Sequence, residues 1–423
     1  MDEKNKMTIT DEDLKKAFVG KSEDEKPEGE RPMKKKTKSA KKFWIILSCG
    51  ITSLVAGISL IIVAVLLPSA PGEALAYPEI PSNNTDEGVY SLLTGEKIAD
   101  EAAKTAPVYC IQTPNGTDGG RPQAGLTQAG VIFEAIAEAG ITRFAAIYQN
   151  PTSAIIGPVR SLRTYYLEWD TPFDCTIVHA GGADDALAAV QSGGYRDMTE
   201  DSTHFYRGTY KERLWNNLFT TPEKLQDFNK SKGYTTSDLK GFSRLTPYES
   251  NQMRAEEHGN KSFDITTPAE GNTSEMVADA SEIKLRFGGS ATFNVIYNYD
   301  ADTNTYLRSY ANDTKHEVYV CPEGNLGDKN PEDVCELKQM APSVVIAMMV
   351  QEGRAADGYH ESITTIGSGK AYVFQNGAVI NGTWSKTTKY DQIKFLDENG
   401  SEIKLAPGQT FISAVPNYGG VEY

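Results

Sequence analysis

From Phe43 to Leu67 the chain reads FWIILSCGITSLVAGISLIIVAVLL, without one charged residue. A run of this kind matches the ~20 apolar residues needed to cross a hydrocarbon core of ~30 Å. It therefore divides the chain into a part on each side of a bilayer, and it limits what each part can be. Arg31 to Lys42 (RPMKKKTKSAKK) is basic and free of acid, whereas Pro68 to Gly88 contains no Lys or Arg. The positive-inside rule then predicts residues 1–42 as a disordered, charge-rich cytoplasmic tail, 43–67 as a transmembrane signal anchor in the plasma membrane, and everything beyond as extracytoplasmic. Trp44 suits an interfacial anchor. Small residues at Ala70 and Ala74 resemble a cleavage site, but the apolar run exceeds the roughly 7–15 residues of a signal core, so an uncleaved anchor is expected. Cys49 falls near the start of the run, not at its end, which argues against lipidation there.

Charge and cysteine usage refine the exported part. The formal net charge of −15 and pI near 5.0 exclude sequence-independent nucleic-acid binding, which needs basic surface to displace counterions. Outside the span lie four cysteines, Cys110, Cys175, Cys321 and Cys335, an even number that permits two disulfides in an oxidising compartment. Cys321 and Cys335 bracket a polar loop and are expected to pair; Cys110 with Cys175 is a second expected pair, resting only on both lying in predicted strands. The absence of CxxC spacing gives no support for a metal site, and no motif implies a cofactor.

Residues 68–93 read as a Pro/Ser/Asn-rich linker. From 94 to 240 strand and helix signals alternate, predicting a layered α/β domain. Val108–Thr113, Ile141–Gln149 and the CTIVHA segment read as strands. Thr127–Gly140, Ser161–Trp169, ADDALAAVQ and the Pro222 segment read as helices. A polar connection, 241–281, leads to a β-rich domain over 282–419. Its hairpins are marked by Asn376-Gly377 and Asn399-Gly400, and Pro342–Val350 is its most buried strand. The expected class is α/β in the first domain and α+β overall, behind one transmembrane helix.

No HExxH, GxSxG or EF-hand pattern occurs, and GSGKAY at Gly367 lacks the spacing of a phosphate loop. Chemistry-bearing residues concentrate in the first domain. His179 ends a predicted strand and is followed by Gly181 and Gly182, where a ligand would approach the carboxyl ends of strands and a helix start. Arg160 and Arg163 follow a Gly-Pro turn in IGPVRSLRTYY, with Arg143 and Arg121 nearby in the chain. Converging guanidinium groups grip carboxylate or phosphate in bidentate fashion. The same arginines can instead be struts, with Glu134, Glu138, Glu168, Asp170 and Asp174 available as internal partners.

These blocks together carry a resemblance. RPQAGLTQAGVIFEAIAEAGITRFAAIYQ, IGPVRSLRTYYLEW, FDCTIVHAGG, WNNLFTTPEKL, GSGKAYVFQNGAVINGTWSK and LAPGQTFISAVP recur in order, and the chain from about Thr94 to Pro416 resembles the YerB-like bacterial lipoprotein family. The resemblance implies an exported, two-domain envelope protein of a family without an established function. Two departures stand out: an apolar anchor replaces the lipoprotein signal, and Asn216 occupies a place where the family often has histidine. The expectation that follows is a single-pass envelope protein binding an anionic wall component or small ligand through an Arg/His cleft, with a protein partner possible for the second domain. An alternative is an envelope-polymer hydrolase or phosphotransferase with His179 as acid or base. A second alternative is a purely structural interaction protein.

Overall fold

The computed structural model describes residues 87–259 and 277–423. The expected tail, anchor and most of the linker, and part of the 241–281 connection, lie outside these residues. Among the described residues no helix is long and apolar enough to cross a membrane.

The protein is mixed α+β and sheet-rich, built on one eleven-stranded sheet. Its strands, in chain order, are β1 (Val108–Pro114), β2 (Val131–Glu138), β3 (Ile141–Gln149), β4 (Thr176–His179), β5 (Arg196–Thr199), β6 (Val277–Asp279), β7 (Val344–Val350), β8 (Gly367–Gln375), β9 (Ala378–Lys386), β10 (Lys394–Asp397) and β11 (Thr410–Pro416). The spatial order is β6-β9-β8-β7-β11-β2-β3-β1-β4-β5, with β10 also pairing β9. Strand β11 inserts between β7 and β2 and runs parallel to both, in register Ser413 to Ala347 and Ser413 to Glu134. The two stretches of contrasting sequence pattern therefore share one sheet. The order Asn376-Gly377 gives a two-residue turn between β8 and β9, both residues at positive φ (54° and 81°), which matches the right-handed twist of the strands.

The sequence expectation fails at 127–140. That segment is a short 3-10 turn (Leu126–Gln128) followed by β2, all of whose residues are buried. Ala and Glu favour a helix locally, but β2 lies mid-sheet, covered on both faces, so it shows no apolar–polar alternation to betray a strand. Packing against β3 and β11 overrides the local preference.

Helices α1 (Thr164–Asp170) and α2 (Asp184–Gln191) pack on one face, where Tyr166, Trp169 and Ala186 meet Phe133, Ala145 and Ile346. On the other face α3 (Pro222–Lys232) places Leu225 and Phe228 against Ile111, Phe144 and Tyr148. Thr221 caps α3 through Lys224 N, and Pro222 occupies the first helical position. Beside α3, a four-stranded antiparallel sheet (Thr305–Tyr310, Val295–Asp300, Glu282–Arg286 and Gly420–Glu422 in order) covers Val345, Ala347 and Val415 with Leu285, Tyr297 and Tyr306. Disulfides join Cys110 of β1 to Cys175 ahead of β4, and Cys321 to Cys335 at one end of the Glu317–Val320/Glu336–Gln339 hairpin.

The two sheets meet through a buried ion pair. Arg308 Nη2 lies 3.0 and 2.8 Å from the two carboxylate oxygens of Glu134, and both residues are fully buried. Arg308 also donates to Tyr297 Oη (3.0 Å) and to His316 Nδ1. Burial and the Arg308 charge push the His316 pKa well down, so the neutral ring accepts from Arg308 and donates from Nε2 to Gln123 Oε1 (3.1 Å). Thr142 Oγ1 donates to Glu134 Oε1 (2.9 Å), and Tyr310 Oη donates to Asn115 Oδ1 (2.8 Å). Arg308→Met strands Glu134 in the core and should cost about 3–5 kcal/mol. The double variant Glu134→Leu/Arg308→Met should cost distinctly less, a difference that chemical denaturation of the three chains resolves.

Candidate functional site

Strands β1, β4 and β5 are mutually parallel, so their carboxyl ends form one rim of the sheet. Across that rim runs the segment 156–163, extended and pinned along its length. Val159 N bonds Leu218 O (2.8 Å), Arg160 N bonds Gln112 O (2.8 Å), Ala180 N bonds Arg160 O (3.1 Å) and Leu162 N bonds Gly181 O (3.0 Å). Gly157 sits at φ +143°, where an added Cβ would lie 3.0 Å from Leu218 O, so this position requires glycine. Gly182 likewise permits close approach, but of Leu162, whose Cβ and carbonyl a Cβ would meet at 3.2 Å; the Gly181-Gly182 turn receives the protein's own chain. Beneath the segment, Gln112 Nε2 donates to Asp170 Oδ2 (3.0 Å). Burial raises the Asp170 pKa well above the carboxylate range, and Gln112 Oε1 and Asp170 Oδ1 are both buried acceptors without a donor among the described residues. A proton held on Asp170 and shared toward Gln112 would answer both.

The arginines do not converge on one open cleft. Strand β2 carries an irregularity between Ile136 and Glu138, which re-aims Glu138 from the face used by Glu134. Glu138 there receives two cations: Arg143 Nη2 on Oε1 and Arg163 Nη2 on Oε2 at 2.6 Å. Arg143 also donates to Ser161 O (3.1 Å) and Arg163 to Leu162 O (2.9 Å). Burial first, and the neighbouring Arg163 charge second, depress the Arg143 pKa. Arg121 belongs to the network between the sheets: its Nε donates to Asn115 O (2.8 Å), and its guanidinium lies 3.5 Å over the Tyr310 ring. Arg160 is half-buried, with Asp118 as its foremost attracting charge. Asn216 is buried and donates to Asp118 O (3.0 Å), so it ties a loop.

His179 is equally committed. It is 1% exposed, with Nδ1 2.7 Å from Gly181 O and Nε2 2.8 Å from Asp197 Oδ1. The carbonyl can only accept, so Nδ1 carries hydrogen and the ring clamps the end of β4 to β5. A buried imidazole with both nitrogens engaged cannot reach a substrate, and the expected acid/base role at this position is withdrawn.

One expected residue does line an open pocket. A cavity of about 140 Å³ lies between the first turn of α1, the start of α2 and the hairpin formed by Glu352–Arg354 and Glu361–Ile363; Arg163, Thr164, Glu168, Asp185, His360 and Glu361 line it. Arg163 is 4% exposed, and its Nε and the adjacent Thr164 Oγ1 are buried without a hydrogen-bond partner among the described residues. His360 was missed from sequence. Its Nδ1 is 2.5 Å from Asp357 Oδ2, while Asp357 Oδ1 accepts from the backbone of Tyr359 and His360 (2.9 Å each). Those bonds hold the Asp357 carboxyl well below its usual range. The signal was a D-x-x-H spacing, but Asp201–His204 repeats the same turn with Nδ1 2.7 Å from Oδ2. The turn therefore has a local conformational basis. Among the described residues no cluster of three or more His, Cys, Asp or Glu could hold a metal ion.

Comparison with known proteins fits this architecture. The chain belongs to the family described as "Protein of unknown function (DUF3048)", whose N-terminal domain matches residues 93–235 and C-terminal domain residues 283–412. It is 27% identical over 332 residues to "Putative lipoprotein YerB" of Bacillus subtilis (strain 168), covering 77% of this chain and 86% of that protein. The crystal structure of YerB from Bacillus subtilis superposes with a TM-score of 0.61 at 23% identity, over 79% of this chain and all of that one. That likeness establishes the shared fold.

The strut assignment of Arg143 and Arg163 has a measurable consequence. Glu138→Gln should destabilise the protein by about 3–5 kcal/mol, because two buried guanidinium groups lose their shared counter-charge. Arg160→Met should cost no more than about 1 kcal/mol, since no hydrogen bond of its guanidinium is lost. Denaturant titration of the two variants checks the order.

Proposed function

We propose that this family member is an extracytoplasmic envelope protein, tethered to the plasma membrane, whose folded part captures a small charged ligand in the pocket between α1 and the 352–363 hairpin. Tethering by residues 43–67 is supported by the uncharged apolar run and the basic flank before it. Two disulfides favour an oxidising compartment. The Bacillus subtilis relative bears the name of a lipoprotein; in this sequence Cys49 lies near the start of the apolar run, not at its end, so the run itself is proposed as the anchor in place of a lipid.

The binding reading is carried by one observation: Arg163, His360 and the carboxylates of Glu168, Asp185 and Glu361 are gathered from three elements around one pocket. Glu138 already neutralises part of the Arg163 charge, so the pocket is no strong anion field. An enzymatic reading would have to use His360, since His179 is enclosed. Its pairing with Asp357 supplies the orienting carboxylate of an acid/base pair. The recurrence of the same turn at Asp201–His204 favours binding over catalysis.

Two experiments test the proposal. Protease added to intact protoplasts should remove the folded part and leave a membrane-retained N-terminal stub; full protection, or loss of any stub, would refute the topology. For binding, the melting temperature of the detergent-solubilised full chain should rise with added acetate, phosphate or alanine for at least one of these probes, as mass action requires. His360→Ala, at a partly exposed position lining the pocket, should abolish that rise. No shift with any probe at millimolar concentration would leave the structural interaction protein as the better reading.

A further inference from the structure

Trp169 and Trp384 are buried, whereas Trp215 is 69% exposed, Leu214 before it 57% and Tyr210 43%. On the tethering proposed above, and independently of the pocket, we propose that Leu214 and Trp215 form a wedge that inserts into the interfacial layer of the membrane holding the chain. Backbone conformation singles the pair out. Asn216 N bonds Arg213 O at 2.7 Å, which closes a β-turn with Leu214 and Trp215 at its centre. Leu214 lies at φ 47°, ψ −113°, the first central position of a type II′ turn, where glycine, asparagine and aspartate dominate. A bulky residue there strains the backbone, and its exposure returns no burial. Such strain persists only where the surroundings impose it, and here they do so on both sides. Arg213 is buried, pairs with Glu332 and donates to Gly119 O (3.1 Å) and Pro122 O (2.8 Å). Tyr206 Oη and Thr209 N donate to Lys329 O (2.8 Å) and Asn330 Oδ1 (2.7 Å), within the loop that the Cys321–Cys335 disulfide closes. On the far side the buried Asn216 is tied to Asp118 O. Buried anchors before and after the pair thus present two apolar side chains to solvent.

A lipid surface fits this tip better than other occupants. At ~3.3–3.6 Å per residue the chain from 68 to 87 reaches no more than about 70 Å, so a tether ending at Leu67 keeps the bilayer always within range. Tryptophan, with an apolar ring and one N–H, is the side chain enriched at headgroup level. A saccharide stacked on the indole would need hydrogen-bonding groups beside it. Asn216 and Asn217 do not supply them, since their amides donate to Asp118 O and Gly208 O (3.0 Å each). A protein partner would need about 800 Å² of this chain's surface, and the exposed parts of three side chains fall well short of that. A bilayer asks for no such complementary area. The net charge of −15 offers no attraction to acidic lipid, so the contact is apolar and independent of headgroup charge.

The full chain reconstituted in phosphatidylcholine vesicles tests the wedge, read by quenching of tryptophan fluorescence with brominated phosphatidylcholine. In a Trp44→Phe chain the exposed reporter is Trp215, because Trp169 and Trp384 are enclosed. Brominated lipid should quench this chain, and adding Trp215→Phe should abolish the quenching. Leu214→Gly should roughly halve the quenching while melting at or above the temperature of its parent, since glycine suits the turn. A chain carrying Trp215→Phe alone keeps Trp44 as a reporter of the anchor. Quenching of Trp44 without quenching of Trp215 would overturn the wedge and leave the tether standing; no quenching of Trp44 would refute the tether and the wedge with it. Quenching of Trp215 that requires phosphatidylglycerol would rule out insertion by apolar contact. If Trp215 escapes the lipid quencher but is shielded from acrylamide by N-acetylglucosamine oligomers, the tip serves a glycan instead; shielding that grows with protein density in the bilayer would assign it to a second copy.

Discussion

The buried pair of Glu134 and Arg308 is the constraint on which the rest of the architecture depends. Glu134 belongs to a central strand of the large sheet and Arg308 to the smaller sheet packed over it. Neither has solvent to fall back on, so each obliges the other's element to be present. Two charges removed from water are repaid only when geometry and supporting hydrogen bonds are good. The supports come from distant parts of the chain. Thr142 lies on the neighbouring strand, Ser413 on β11, and Tyr297 and His316 on the overlying segments. Burial is the largest single effect on Arg308 and opposes its cation, yet Glu134 together with Tyr297 and Tyr310 holds the guanidinium above its ordinary pKa. Satisfying all these groups at once fixes how the N-terminal and C-terminal halves are registered.

Glu138, on the same strand, shows what one irregularity in β2 accomplishes. Regular alternation would place it on the face of Glu134; the shift between Ile136 and Glu138 sends it instead toward the start of α1. There it holds Arg143 and Arg163 together, and through their backbone bonds to Ser161 and Leu162 it fixes the extended segment across the sheet rim. The two acids of one strand thus organise opposite faces of the sheet, one by joining halves and the other by building the floor beside a pocket.

Much of this was legible in the residues. Ile141–Gln149 and Val344–Val350 announce themselves as strands through branched and aromatic side chains, and Asn376-Gly377 announces its turn. Strand β2 did not, because a strand covered on both faces loses the alternation that distinguishes it, and its Ala and Glu content imitates a helix. The insertion of β11 beside β2 was invisible for a different reason. Residues some 280 positions apart pair there, and nothing local encodes that partnership. Glu138 stood among five carboxylates within chain reach of the arginines; choosing it required the β2 irregularity. His179 attracted notice through its Gly-rich neighbourhood, although Asp197, its partner, lies on the next parallel strand. His360 passed unnoticed because a D-x-x-H turn reads as loop.

Whether Arg160 and Arg163 form a clamp or a strut therefore has a divided answer, set by how many donors a guanidinium owns. A carboxylate shared between two arginines cannot engage every nitrogen of both. Glu138 takes one nitrogen from Arg163 and the Leu162 carbonyl takes another, which leaves Nε buried without a partner among the described residues. The shared carboxylate and the carbonyl bond offset the cost of burying Arg163 and hold its side chain still. Arg160, lacking such a carboxylate, stays half-exposed under the influence of Asp118. Arg163 is thus a strut, held on Glu138 beside Arg143, which shares its counter-charge, and on the carbonyl of Leu162.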